Sequence, residues 1–488
     1  MLLCAHYILP ITSEPIQRGA VLVRDGRIYD VGPVDILRAH YPEEEVKDFG
    51  MAALMPGLID LHTHTENSVF RGIVHDVPYT TWVRAVAEKS TRMDVNDWYD
   101  SAVLGGLEAI SSGITTIADI TATGAACTAT QKLGLRSVIY REVGAMDQRR
   151  IDFAMRVAEN DIAHWRAEVD SARVTIGIAP AAIYTCHPAV FAKVSEFARK
   201  EDLPVAMHLA GSREEYQFVK RGSSPFAVHT MGTKRGYVEI PPWLPTGVSP
   251  VRYALNWGAF ESDNVLAIHC THIDDDDVKK LKEYDVAVAG CPRCSAQLGM
   301  GLSPIGEFLR AHLRFGLGTD SPAATDSIDM FTEMRLGMLL QRAVNPNNFL
   351  DSATMLEAAT IGGARALKQD DLIGSLEIGK RADIVLLDDL KDFRVRKVWT
   401  AGVLTAEDGN YLPEVRRIDA SAVKGSIILQ DFSVEKLKMH LKSGHVHVIG
   451  ILPGGVVTQK ETADVRLDGE GNFVRDPAVD IVKVAVVE

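Results

Sequence analysis

Two histidines one residue apart, His62 and His64, close the segment Pro56-Gly-Leu-Ile-Asp-Leu-His-Thr-His. On an extended strand residues i and i+2 point to the same side, so both imidazoles can approach one ion. The pair alone is a weak signal, because two exposed histidines would satisfy it equally well. Its position strengthens it, since three more groups of ligand type follow short apolar runs. They are His208 after Val205-Ala-Met, His269 after Val265-Leu-Ala-Ile, and Asp320 after Leu317-Gly-Thr. Imidazole nitrogen and carboxylate oxygen suit one divalent ion, zinc first, with iron(II) or manganese(II) as alternatives.

The elements that must position these groups follow from the hydrophobic pattern. Eight short apolar runs occupy residues 55–59, 114–118, 137–140, 174–179, 205–207, 265–268, 286–289 and 315–318. Most precede a stretch with apolar residues at helical spacing, such as 188–200 and 274–283. Eight strand–helix units predict an α/β fold, a (β/α)8 TIM barrel, which presents reactive groups at the C-terminal ends of its strands. The five candidate groups then end strands one, five, six and eight and face one mouth. Residues 1–54 read as short strands, with Asp25-Gly26 marking a two-residue hairpin. A helical stretch over 352–366 closes the 55–366 barrel, and residues 367–415 return to strand character. The two flanks are expected to pair as a small composite β-sandwich domain. Residues 416–488 are expected to form an α/β appendage, with a helix over 434–443 and strands over 446–452 and 481–487.

Composition narrows the classes. A chain of 488 residues with 46% hydrophobic and 24% charged content is globular, not disordered or fibrous. The net charge of −13 is spread along it and provides no basic surface for nucleic acid. Six cysteines are too few for a disulfide framework and fit a reducing compartment. The N-terminus lacks the pattern of a signal peptide, and no apolar run of ~18 residues suggests a membrane span. A soluble, cytoplasmic protein with a small-molecule substrate is expected, self-association being left open.

Further motifs sharpen the reading. They are Phe70-Arg-Gly-Ile-Val-His-Asp-Val-Pro-Tyr-Thr-Thr-Trp82, Tyr184-Thr-Cys, His208-Leu-Ala, His269-Cys-Thr-His, Cys291-Pro-Arg, Gly299-Met-Gly-Leu-Ser-Pro and Gly318-Thr-Asp320-Ser. With the His62 segment, they make the chain resemble the amidohydrolase superfamily between about residues 20 and 365. The resemblance is to the subgroup of methylthioadenosine/S-adenosylhomocysteine deaminases, aminodeoxyfutalosine deaminases and triazine hydrolases. It implies that His62, His64, His208 and Asp320 hold the metal and that His269 polarises the bond under attack. The chemistry is coherent with that set. Asp320, reaching both ion and water, can take the water proton, and His269 can stabilise charge developing on the substrate. Attack at an amidine-like ring carbon gives a tetrahedral intermediate that expels ammonia or another leaving group.

Three positions depart from the family pattern. Its deaminases usually carry a proton-shuttling glutamate three residues after the strand-five histidine; here that residue is Gly211, which is expected to leave empty space. A substrate-touching histidine before the Tyr184 segment is replaced within Pro180-Ala181-Ala-Ile183. After Cys291-Pro-Arg the usual Ser-Asn is Cys294-Ser295. Losing a positioned acid/base costs roughly 10²–10⁴ in rate. Glu66 would face the site if extended geometry continued past His64, although a loop-surface position is the simpler reading. Trp82 has two equal readings, stacking on a planar substrate or packing in the core. Glu214 and Glu215 are expected to be structural, His272 to support or pack, and 274–277 to begin a helix.

The tail from about Ala382 onward resembles the C-terminal part of bacterial adenine deaminases, through Val448-Ile-Gly-Ile-Leu-Pro-Gly and Ile481-Val-Lys-Val-Ala-Val-Val-Glu, and stops short of that family's end. The leading expectation is therefore a metal-dependent amidohydrolase that deaminates an adenine-type nucleoside or related aminopurine. The alternatives are a cyclic amide or triazine-type hydrolase, which needs less protonation of the leaving group, and a metal-binding pseudoenzyme.

Overall fold

The computed structural model describes residues 1–227, 245–345, 349–414, 433–451, 458–476, 478–479 and 481–483. The chain divides into two units, Met1–Pro413 and Glu414–Glu488. In the first, eight parallel strands pair in sequence order. They are Leu58–Thr63, Ile114–Thr121, Arg136–Val143, Val174–Pro180, Val205–Leu209, Val265–His269, Ala287–Gly290 and Phe315–Leu317. The ring closes through a parallel bridge between Thr63 and Asp320, where the Asp320 N–H donates to the His62 carbonyl at 2.7 Å. The expected (β/α)8 barrel is the fold.

Strand alternation sorts the barrel side chains. Ile117, Ile139, Ile176, Ile178, Met207 and Val288 belong to the layer shared with the surrounding helices. Ala118, Val138, Tyr140, Ala179, Ala206 and Ile268 fill the interior instead. Alternation between two buried faces is what turns each run into a continuous apolar string.

Two expected elements are divided. The run over 55–59 is not one strand, because Ala53–Pro56 pairs antiparallel with Ile384–Leu387 while the barrel strand starts at Leu58. Gly57 is the joint: a Cβ there would lie 2.0 Å from Thr115 Oγ1, so no larger residue lets the chain pass between the sheets. The stretch over 352–366 breaks into Ser352–Ala358 and Ile361–Ala366 around Thr360, whose φ of −130° and ψ of −101° are not helical. The second piece lies tight against the eighth strand, since a Cβ on Gly362 would meet the Phe315 carbonyl at 2.8 Å.

The flanks join in one nine-stranded sheet, built from strands between Leu2 and Pro56 and between Ile384 and Tyr411. Ile16–Arg24 and Arg27–Pro33 form the hairpin read from the sequence. Asp25 and Gly26 both take positive φ, 48° and 70°, as a tight two-residue turn requires.

In the second unit, His445–Ile451 pairs antiparallel with Thr458–Asp464, and Arg466–Leu467 with Phe473–Val474. The helix expected over 434–443 is only one 3-10 turn, Val434–Leu437, after which Lys438 is extended. So few residues before Ser443-Gly444 give a helical nucleus little to propagate along. Of the strand expected over 481–487, residues 481–483 are not in a strand and 484–487 lie outside the described residues. No described helix is long and apolar enough to cross a membrane.

Candidate metal centre

The five groups converge at the C-terminal mouth of the barrel. His62 and His64 come from the end of the first strand, His208 from the fifth, His269 from the sixth, and Asp320 follows the eighth. His62 Nε2 lies 3.4 Å from Asp320 Oδ1, His64 Nε2 3.9 Å from the same oxygen, and His269 Nε2 3.8 Å from Asp320 Oδ2. The His64 and His208 rings are nearly parallel, with their Nε2 atoms 3.4 Å apart. Two nitrogens each about 2.05 Å from one tetrahedral ion would stand about 3.3 Å apart, close to that spacing.

Backbone geometry aims these groups. Ala210, His269, Cys270 and Asp320 all have positive φ, at 50°, 74°, 48° and 59°. Left-handed backbone costs a residue with a side chain roughly 1–2 kcal/mol. Four such residues at the ends of strands five, six and eight turn the chain sharply at the mouth. Asp60 fastens the first strand to the eighth: its carboxylate accepts from the Thr319 N–H at 2.9 Å, the Thr319 hydroxyl at 2.6 Å and the His62 N–H at 3.2 Å. Burial pushes the Asp60 carboxyl up to about 7, against these hydrogen bonds.

The donors fit a divalent cation. Burial drives His62 down to about 4, lowers His208 well below the usual imidazole range and also lowers His269, so these rings are neutral at pH 7. Burial would raise Asp320, but the His62 contact and the surrounding imidazoles hold it well below the usual carboxylate range. The buried His62 Nε2 has no hydrogen-bond partner among the described residues. His64 Nδ1 lies 3.1 Å from the Ile120 carbonyl, which can only accept, so the proton sits on Nδ1 and Nε2 is left as a lone-pair donor. The ligand atoms of His62, His64 and His208, and those of His62, His269 and Asp320, lie within 4.8 Å of one another in each trio. An unpaired nitrogen, neutral rings and one ionised carboxylate make a cation cage.

The surrounding residues divide. Glu66 is buried, not on a loop surface, because extended geometry ends at His64 and Thr65–Phe70 is a 3-10 helix. Its Oε1 accepts from the hydroxyls of Thr121 and Thr123 and from the Ala126 N–H, tying it to the end of the second strand. Trp82 joins the interior cluster and donates its indole N–H to the Ala323 carbonyl at 3.3 Å. Glu215 accepts from the Ala210 and Gly211 N–H groups at 2.9 Å each and shapes the loop after His208. His272 Nε2 contacts the Met300 carbonyl at 2.7 Å, and Asp274 caps the helix Asp275–Glu283 reciprocally with Asp277, so both expectations hold.

Gly211 does not leave empty space. A Cβ there would lie 3.0 Å from His269 Cδ2 and 3.4 Å from Met300 Cε, since the sixth strand presses its imidazole against this backbone. Cys291 and Cys294 are buried free thiols that lie close to Asp320. Two residues at the mouth were not singled out from the sequence. Tyr79 meets Tyr184 hydroxyl to hydroxyl at 2.5 Å, and Tyr184 stacks on Phe226 with ring centres 3.8 Å apart. Glu142 lies one residue before the end of the third strand. Continuing that strand's alternation beyond residue 140 was the signal that would have found it.

Residues 53–405 match the description of the amidohydrolase family, and residues 19–43 match an imidazolonepropionase-like composite domain of bacteria. The chain is 30% identical over 426 residues to a 5-methylthioadenosine/S-adenosylhomocysteine deaminase of Desulforudis audaxviator (strain MP104C), across 84% of this chain and 93% of that relative. It is 31% identical over 377 residues to the protein of that name in Pelotomaculum thermopropionicum (strain DSM 13744 / JCM 10971 / SI), across 76% and 80% of the two chains. Among solved structures, an adenosine deaminase from Xanthomonas campestris with bound zinc superposes with a TM-score of 0.73 at 26% identity, covering 87% of this chain and 96% of its own. Atrazine chlorohydrolase from Arthrobacter aurescens TC1, complexed with zinc, shares the fold with a TM-score of 0.72 at 22% identity, covering 87% and 99%.

Proposed function

The chain belongs to the amidohydrolase family and is a metal-dependent hydrolase of C–N bonds, and on that premise we propose that it deaminates an adenine-type nucleoside or related aminopurine at a zinc centre. The observation that carries this reading is the convergence of three imidazoles, one ionised carboxylate and His269 at one barrel mouth. It is supported by kinship to the deaminases named above. All six cysteines are free, which agrees with a reducing compartment such as the cytoplasm.

In this reading His62, His64, His208 and Asp320 hold the ion, which supplies Lewis acidity and an acidified water when bound. Asp320 takes the water proton, for which its ionised state suits it. His269, neutral and buried, stabilises negative charge as the ring nitrogen gains electrons. Buried walls exclude bulk water, so each contact acts in a low dielectric. Residue 211 provides no carboxyl, so in this reading Asp320 passes the proton it took from water to the leaving amine.

That gap favours one second reading, hydrolysis of a cyclic amide or triazine whose leaving group needs less protonation. The deciding experiment loads the protein with zinc and follows ammonia release and the ultraviolet change over a panel of adenine nucleosides, beside triazines and cyclic amides. Turnover confined to the aminopurines supports the proposal. Turnover confined to the other classes overturns it, and stoichiometric zinc without any turnover points to a metal-binding pseudoenzyme.

A further inference from the structure

Glu142 stands at the mouth with no hydrogen-bond or ion-pair partner for its carboxylate among the described residues. On the third barrel strand, Arg136–Val143, the interior residues are Val138 and Tyr140, while Ile139 and Val143 pack on the outer layer. Alternation therefore sends Glu142 inward, one pleat above Tyr140. Its carboxylate is partly buried, and no described residue donates a hydrogen bond to it. The adjacent Arg141 is engaged elsewhere: its Nε pairs with Asp161 at 2.8 Å, and its Nη1 donates to the backbone carbonyl of Glu142. The carboxylate is within electrostatic reach of His64, Tyr184 and Cys186. Burial raises this carboxyl, opposed by His64 and Arg141.

Glu142 registers with Ala179 on the fourth strand, two residues before Ala181. Gly144 lies so close that a Cβ on it would stand 3.1 Å from that of Ala181. In its ionised form this half-buried carboxylate can only accept, and leaving it unmatched is costly. What completes it must donate.

We propose that Glu142 determines specificity by accepting hydrogen bonds from an ammonium or amino group on the substrate's side arm, away from the ring carbon that loses ammonia. The inference rests on the aminopurine reading above and adds the substrate's charge. It predicts a preference for cationic over neutral or carboxylate-bearing aminopurines. A rival role is proton carriage in place of the missing glutamate at residue 211.

The test uses zinc-loaded full-length protein with adenine nucleosides whose 5′ substituent is neutral, an amine or a carboxylate. Binding is read by calorimetry and turnover by ammonia release. The parent should bind the amine about 10- to 100-fold more tightly than the neutral nucleoside, the range for a charged hydrogen bond. Glu142→Gln should erase that gap, and Glu142→Arg should shift preference toward the carboxylate. Equal binding of all three probes by the parent overturns the proposal without needing any variant. So does a uniform fall in kcat in Glu142→Gln with KM unchanged, which would assign proton carriage instead. Selective binding of the amine without ammonia release would uphold Glu142's role and refute the deamination reading.

Discussion

Gly211→Glu puts a carboxyl three residues after His208, where proton transfer to a leaving amine would use it. Two opposing effects can be sized. The backbone accepts a side chain, because Gly211 is not in the left-handed region. The new Cβ would lie 3.0 Å from His269 Cδ2, 3.4 Å from His269 Cγ and 3.4 Å from Met300 Cε. Met300 ends in a flexible methyl and can move, so the cost falls on His269, which must yield by a few tenths of an ångström. A misplacement of 1 Å at a reacting centre costs about 10²-fold, so this smaller shift should cost about two- to fivefold. A positioned acid/base contributes about 10²–10⁴-fold; with Ala181 leaving the substrate less firmly held, the lower end applies. The expected result is a net gain of about 20- to 50-fold in kcat for an adenine nucleoside, and a two- to fivefold loss for Gly211→Ala, which carries the crowding without the carboxyl. Initial rates of ammonia release at equal zinc content, for parent and both variants, separate the two effects. If Gly211→Glu is no faster than Gly211→Ala, proton supply does not limit the parent and the reasoning fails.

Three further substitutions probe the frame around that reaction. Asp320→Asn should lower kcat by at least about 10³-fold while leaving the melting temperature of the metal-free protein nearly unchanged, since the amide oxygen can keep the Ser321 N–H bond; retained activity would exclude Asp320 as the base. Asp60→Ala should cost about 3–5 kcal/mol in urea unfolding, because it strands two N–H groups and a hydroxyl in the core, whereas Asp60→Asn should cost about 1 kcal/mol or less; equal losses would show that Asp60 does not fasten strands one and eight. Burial raises the Glu215 carboxyl to about 7 in the folded chain. Its contribution to stability is therefore full below the unfolded value near 4.3 and is lost as pH rises through about 7. Glu215→Gln should remove that loss, so melting curves of parent and variant should draw apart from pH 4.5 to 7, the variant gaining; parallel curves would refute the assignment.

The barrel was legible because its strands are buried on both faces and read as unbroken apolar runs. Periodicity could not show where one sheet hands over to another: Ala53–Pro56 and Leu58–Thr63 look continuous, and only the closeness of Thr115 to Gly57 divides them. The convergence of the five candidate groups was legible because ligand-type residues terminate separate strands, which needs only the period of the pleat. Glu66 was not, because continuing extended geometry past His64 misses the 3-10 turn that redirects it. Gly211 shows the same limit from the other side. A missing side chain suggests vacancy, yet the imidazole of a neighbouring strand fills it, and no feature of either segment announces that contact.

Glu142 and Gly211 are best understood together. The cage asks for one ionised carboxylate, Asp320, and its neighbourhood of neutral imidazoles accommodates one negative charge well. A second acid on the fifth strand would sit against His269 and act on the reacting ring. The acid at the mouth instead stands on the third strand, within electrostatic reach of His64 and in register with Ala179 of the fourth. Moving the charge there takes it from the position that serves bond cleavage to one that can serve recognition. If so, slow chemistry and selective binding have the same origin. Restoring residue 211 should then raise kcat without altering the charge preference, and changing residue 142 should alter the preference without raising kcat. A double variant tests that independence directly: Gly211→Glu with Glu142→Gln should show the product of the two single effects on kcat/KM. Departure from the product by more than about threefold would mean that the two carboxyls act on the same atoms of the substrate.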